Sequence, residues 1–162
     1  MRLSQCLFLL LIFFFKGCNT TNTSLEPCYC HDEESSALLQ FMQSFTINAS
    51  ASGLVGAYPK VSSWKPAQGG NNTCCCAWDG VECDEETGHV IGLNLRSSCL
   101  YGSINSNSSL FRLSHLQRLN LANNHFNYSQ NPTSIRNFPR LTLLDLSASV
   151  FSGRVPSELS QN

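Results

Sequence analysis

A leucine pattern that returns every 25 or 26 residues constrains this chain more than any other feature. Leu119-Asn120-Leu121-Ala122-Asn123-Asn124-His125-Phe126 has counterparts at 93–100 and 144–151. Each reads L-x-L-x-x-(N/S)-x-(L/F). Two of them extend upstream to L-x-x-L-x-x-L-x-L, through Leu113, Leu116, Leu119 and Leu121, and through Phe138, Leu141, Leu144 and Leu146. In L-x-L both leucines point to one side of a short strand, because side chains alternate along it. The Asn position turns the chain, and an amide there can satisfy backbone groups of the next coil. Asn124 suits that role; Ser98 and Ser149 suit it less. Leu100, Phe126 and Phe151 then close the core from the far side. One coil cannot bury its apolar face alone, so the coils must stack.

A period of 20–29 residues with this spacing is the leucine-rich-repeat signature. Function in such an array is carried by a repeated surface. Charge agrees with a binding role other than nucleic acid: the 162 residues carry a formal net charge of -1 and only 13% are charged, with no basic stripe.

Residues 1–24 read as a secretory signal peptide. Arg2 precedes an apolar run from Leu7 to Phe15, followed by Lys16, Gly17, Cys18 and a Thr/Asn stretch. That run is too short to span a bilayer, which needs about 20 residues. Cleavage falls between 18 and 24. Export makes disulfide candidates of the seven cysteines beyond the signal, Cys28, Cys30, Cys74, Cys75, Cys76, Cys83 and Cys99. Sequons begin at Asn19, Asn22, Asn48, Asn71, Asn107 and Asn127, as expected of a glycosylated extracellular surface.

Residues 25–88 differ in composition from the repeats that follow at 89–162. Asp32 can cap a helix with Glu33 and Glu34 in its first turn. Leu38, Phe41, Met42 and Phe45 give that helix one apolar stripe, and it should fade near Thr46. The stretch 48–58 reads as a loop. Pro59 opens a short element holding Val61 and Trp64, and 65–72 is a turn-rich connection. A β-hairpin follows: a strand over 78–83, a turn at 84–88, and a return strand over 89–95 that is also the first repeat's strand.

Cys75-Cys76-Ala77-Trp78-Asp79-Gly80-Val81-Glu82-Cys83 resembles the N-terminal cap of plant leucine-rich-repeat proteins. The stretch 31–41 resembles that cap's first helix. Residues 88–95 and 97–104 resemble the first repeat of plant receptor-like proteins, surface receptors with a repeat ectodomain, one membrane helix and no kinase. Phe151-Ser152-Gly153-Arg154-Val155-Pro156 has the plant form of the repeat. The resemblance implies an α/β fold: a right-handed solenoid of about three repeats with a disulfide-bonded, helical and β-hairpin cap. It implies the bridges Cys30–Cys75 and Cys76–Cys83. Cys28 and Cys74 depart from the family pattern and could pair with each other or exchange with the expected partners. Cys99 is expected as a free, buried thiol.

The resemblance also implies a non-catalytic recognition module acting in defence or developmental signalling. Such a module takes a peptide, oligosaccharide or protein ligand and signals through a co-receptor kinase. An alternative is a secreted inhibitor of cell-wall-degrading enzymes, similar to polygalacturonase-inhibiting proteins; another is a truncated fragment, since the text stops inside the third repeat without a membrane span. On that expectation Leu141, Leu144, Leu146 and Phe151 face water. The longer stretch from Phe126 to Pro132, against Phe151 to Pro156, should make the second coil bulge. The expected binding face comprises Gly92, Asn94, Arg96 and Ser97 of the first coil. The second coil adds Gln117, Arg118, Asn120, Ala122 and Asn123, and the third adds Thr142, Asp145, Ser147 and Ala148. Cys28-x-Cys30-His31 and Cys74-Cys75-Cys76 are thiol-rich, yet adjacent cysteines chelate poorly and an oxidising compartment favours disulfides over zinc. His31, His89, His115 and His125 read as scattered surface residues with no catalytic partner. Trp64 and Trp78 read as core of the cap. No cofactor is implied.

Overall fold

The computed structural model describes residues 30–66, 74–127, 129, 134–135 and 138–151. The signal segment, Cys28, Asn19, Asn22, Asn71, residues 128 and 130–132 of the expected bulge, and the end of the third repeat lie outside them. The chain begins with helix α1 (Asp32–Met42) and a short strand β1 (Phe45–Ile47). Single 3-10 turns at Ala49–Ala51, Lys60–Ser63 and Cys75–Ala77 lead to β2 (Val81–Cys83) and β3 (Val90–Asn94). Then come β4 (Leu100–Gly102), a turn at Ser109–Arg112, β5 (Arg118–Asn120) and β6 (Leu143–Asp145).

The main sheet has the order β2-β3-β5-β6. β2 meets β3 antiparallel, as the expected hairpin, and β3, β5 and β6 run parallel in register. Leu93, Leu119 and Leu144 form one row, and Asn94, Asn120 and Asp145 the next. The inward leucines are the core: Leu93, Leu95, Leu119 and Leu121 are at most 1% exposed, and Phe126 closes the far side at 0%. At about 1.5–3 kcal/mol per fully buried large apolar side chain, this stacked row is the principal stabilising term. Leu141, Leu144, Leu146 and Phe151, expected to face water, are half-buried against the same core.

Asn124 is fully buried and ties the first two coils. Its Oδ1 accepts from the Ser98 and Leu100 amides, both at 3.1 Å. Its Nδ2 donates to the carbonyls of Leu95, Leu121 and Ala122. Ser149 fills the same position with one hydroxyl, donating to Leu121 and Ser147. Ser98 is also buried, and its Oγ has no hydrogen-bond partner. The order of fitness expected from side-chain chemistry is therefore the order observed.

The cap is built as expected in its hairpin and its bridges. Cys30 bonds Cys75 and Cys76 bonds Cys83. Cys99 is a buried free thiol. Trp64 and Trp78 stack 5.5 Å apart, 3% and 6% exposed, and the Trp64 Nε1–H donates to the Asp79 carbonyl. Two local expectations fail. His31, in extended backbone, takes the N-cap position in place of Asp32 and makes no side-chain cap bond. Its ring is engaged elsewhere, with Nε2 at 3.0 Å from the Thr87 carbonyl oxygen.

Phe45 is the second failure. It leaves the helix and enters β1, which pairs antiparallel with β4 as a separate ribbon: Phe45 lies opposite Gly102 and Ile47 opposite Leu100. Its ring still reaches the core, edge-on to Phe41 at 4.9 Å and to Phe126 at 5.7 Å. The chain turns through Gln43 and Ser44 because strand pairing with the first coil replaces another helical turn. The cap thus holds the solenoid through two strand contacts, one at each side of the first coil. Ser52 adds a third link, donating from Oγ to the Asn123 carbonyl and accepting from the Cys99 amide.

Candidate recognition surface

Alternation along β3, β5 and β6 sends the residues between the leucines to the open side of the sheet. Asn94 is exposed, Asn120 and Asp145 are half-buried, and the three stand in one row. Each also holds its own backbone. The Asn94 Oδ1 accepts from the Arg96 amide, the Asn120 Oδ1 from Ala122, and the Asp145 Oδ1 from Ser147. The Ser147 side chain and amide hold the Asp145 carboxyl below the usual carboxylate range. These x positions are therefore turn-forming as well as solvent-facing.

The remaining expected face residues divide. Arg96, Thr142, Ser147 and Ala148 are exposed; Ser97, Gln117, Arg118 and Asn123 are half-buried. Gly92 and Ala122 are buried and offer no side-chain surface. Gly92 lies under the Glu82 side chain, where a Cβ would meet Oε2 at 2.7 Å. Asn123 reaches sideways, donating to the Ser97 Oγ and accepting from the Gly53 amide. Ser97, Asn123 and Ala148 share a left-handed backbone, φ 53°, 55° and 51°, at the bend that follows each strand.

Three contributors were missed by sequence reasoning. Glu82 of β2 pairs with Arg118 at 2.6 Å. Lys60 donates to the Asn94 carbonyl, and burial lowers its pKa. Leu143, beside Arg118, is 49% exposed. Glu82 and Leu143 carried a usable signal, since each sits at an outward position of a strand next to the expected row. Together Glu82, Asn94, Arg118, Asn120 and Leu143 line an open groove of about 350 Å³. Arg96 and Asp145, 3.6 Å apart, bridge over the second coil, where Ala122 is small and buried. Both ion pairs are exposed enough to contribute at most about 1 kcal/mol each to stability. Their effect is to fix a charge pattern across the sheet.

Three of the four histidines gather, contrary to the reading from sequence, while His125 lies apart against Tyr101. His31 stacks on His89 at 3.9 Å between centroids, and His89 on His115 at 3.6 Å. Glu34 lies beside them, 6% exposed. Ser114 Oγ lies 3.4 Å from His115 Nδ1, and Glu34 Oε1 lies 3.7 Å from that same nitrogen. A nucleophile triad needs the hydroxyl and the carboxylate on opposite nitrogens of one ring; these three residues do not form one. Asn48, Asn107 and Asn127 are exposed, as carriers of glycan would be.

A parallel sheet of stacked coils, capped at one edge by a disulfide-bonded hairpin, defines a leucine-rich-repeat ectodomain-type fold. Residues 31–84 match the leucine-rich-repeat N-terminal domain. Receptor-like protein 6 of Arabidopsis thaliana is 43% identical over 152 residues, covering 89% of this chain and 15% of the relative. The chain spans less than a fifth of the length of this and the next curated relatives it matches. Among solved structures, a plant ice-binding protein superposes with a TM-score of 0.60 at 27% identity, over 78% of this chain and 36% of the other. The ectodomain of the Arabidopsis receptor kinase HAESA, solved with a peptide hormone, gives 0.58 at 28%, over 78% and 18%. The chain corresponds to the N-terminal part of plant leucine-rich-repeat receptor-like proteins.

Proposed function

We propose that this chain is an extracellular recognition module of the receptor-like kind, exported and glycosylated, with no catalytic step of its own. The observation that carries the reading is the row of outward side chains held in register across three coils, flanked by Glu82, Arg118 and Leu143. A rigid scaffold presenting mixed charge, amide and one apolar contact suits a peptide or protein segment laid across the strands. HAESA, similar in fold, was solved with a peptide hormone on its ectodomain. The receptor reading extends to a co-receptor kinase as signalling partner and to action in defence or development.

Site-specific photo-crosslinking tests it. A photoreactive residue is placed at Asn94 or Leu143 on the sheet face, and at Ser103 on the opposite side as a control. The secreted chain is then irradiated in plant extracellular fluid. Adducts concentrated at Asn94 and Leu143 are expected; equal labelling at Ser103 overturns the assignment of the face.

A further inference from the structure

We propose that Glu34, His89 and His115 form a site for one divalent cation of the zinc class, clasping the cap helix to the first two coils. The Glu34 Oε1 lies 3.3 Å from His89 Nδ1 and 3.7 Å from His115 Nδ1. The first is a long hydrogen bond and the second an ion-pair contact, both beyond the usual mode of about 2.9–3.0 Å for N–H···O. They bracket the edge of a tetrahedron with metal bonds of about 2.0–2.1 Å, which is about 3.4 Å. All three donor atoms lie within 4.8 Å of one another.

The donor set is the right chemistry. Two imidazoles and one carboxylate, with a side left to solvent, are a familiar ligand complement for zinc. The carboxylate is already oriented: its Oε2 accepts from the Val90 amide at 3.0 Å, leaving Oε1 to face the rings. Such outer hydrogen bonds fix first ligands in place. Asp32 and Glu33 line the same pocket, of about 680 Å³, together with Arg112. Burial first, then His89 and Arg140, hold the His115 pKa below the ordinary imidazole value, which favours the neutral ring that a metal needs.

One rearrangement is required. The His89 and His115 rings are stacked 16° from parallel, so their Nδ1 lone pairs run side by side. Aiming both at one ion requires one ring to swing. His115, stacked on one ring and 3.4 Å from the Ser114 hydroxyl, is the ring that turns. His89 is held between two rings and stays.

The full secreted chain, stripped with a chelator, is titrated with zinc chloride by calorimetry at neutral pH. One equivalent binding saturably is expected, with His89→Asn and His115→Asn each weakening it about tenfold or more. His125→Asn should leave affinity unchanged. Affinity should fall as pH drops through the imidazole range, where protons compete for the rings. X-ray absorption of the zinc-loaded wild-type chain should report two imidazole nitrogens and oxygen, and needs no variant to fold. Absence of saturable binding, sulfur in the coordination shell, or full affinity in folded His115→Asn overturns the proposal.

Discussion

At the residue scale, both ends of the Asn124 amide are occupied by the backbone of two coils, and substitutions there separate geometry from polarity. Asn124→Ala leaves two amides and three carbonyls without that partner. With about 1–3 kcal/mol for each unsatisfied buried group, and partial relaxation, a net loss of about 3 kcal/mol is expected by denaturant unfolding. Ser98→Ala removes a buried hydroxyl that has no partner, and should be neutral or slightly stabilising in the same assay. His115 gives a pH signature. Its pKa is lowered by burial first, then by His89 and Arg140. The folded state therefore binds this proton less readily than the unfolded chain. Stability contributed by neutral His115 is present above the ordinary imidazole pKa and lost as pH falls through the lower folded value. In chelator-treated protein, the melting temperature should drop over that window, and His115→Asn should flatten the drop.

At the scale of elements, two glycines mark where strands and turns approach too closely for a side chain. At Gly102 in β4 an added Cβ would lie 2.8 Å from both Phe45 Cδ1 and the Ser44 carbonyl oxygen. Gly102→Ala should push β1 off β4 at a cost of about 1–3 kcal/mol, seen as faster amide exchange at Thr46 and Ile47. At Gly80, φ is +82° and the Cβ would sit 2.4 Å from the Asn94 carbonyl oxygen, which is backbone and cannot swing away. Gly80→Ala should therefore be the worse of the two and reduce secreted yield more. The repeat strands and the hairpin were legible in the sequence because a period of two and a fixed 25–26 spacing leave few alternatives. β1 was not. Its three residues follow the helix directly, and Phe45 completes a helical i+7 stripe, so local periodicity favoured the wrong element. The histidine column was half legible: His89 and His115 both stand four residues before the first leucine of their L-x-L. Aligning the repeats superposes them, but bringing His31 and Glu34 alongside requires the docking of α1, which no local pattern contains. The face itself was readable as alternate positions. The burial of Gly92 and Ala122 was not, because it depends on the Glu82 side chain and on the packing of neighbouring coils.

At the scale of the whole molecule, the cap and the coils are one cooperative body, since β2–β3 and β1–β4 join them on both sides. Trp78→Ala should cost about 3–5 kcal/mol and Cys76→Ser about 2–5 kcal/mol. Both should lower secreted yield and open the first coil to protease, not the cap alone; a nick confined to residues before 80 would show the two parts to be independent. The β1–β4 ribbon has a temporal consequence. Thr46 meets Tyr101, 55 positions later, and Ser109 reaches back 72 positions to the Ala37 carbonyl. At about 5–20 residues per second of synthesis, β1 waits roughly 3–11 s for its strand partner to be made. Through that interval Phe41 and Leu38 lack the coil leucines of their core, and Cys30 lacks Cys75, its disulfide partner 45 positions later. On the proposed export route, this interval is where a chaperone and a disulfide isomerase would act, and the cap, first in sequence, completes its β1–β4 contact only after the first coil has been made.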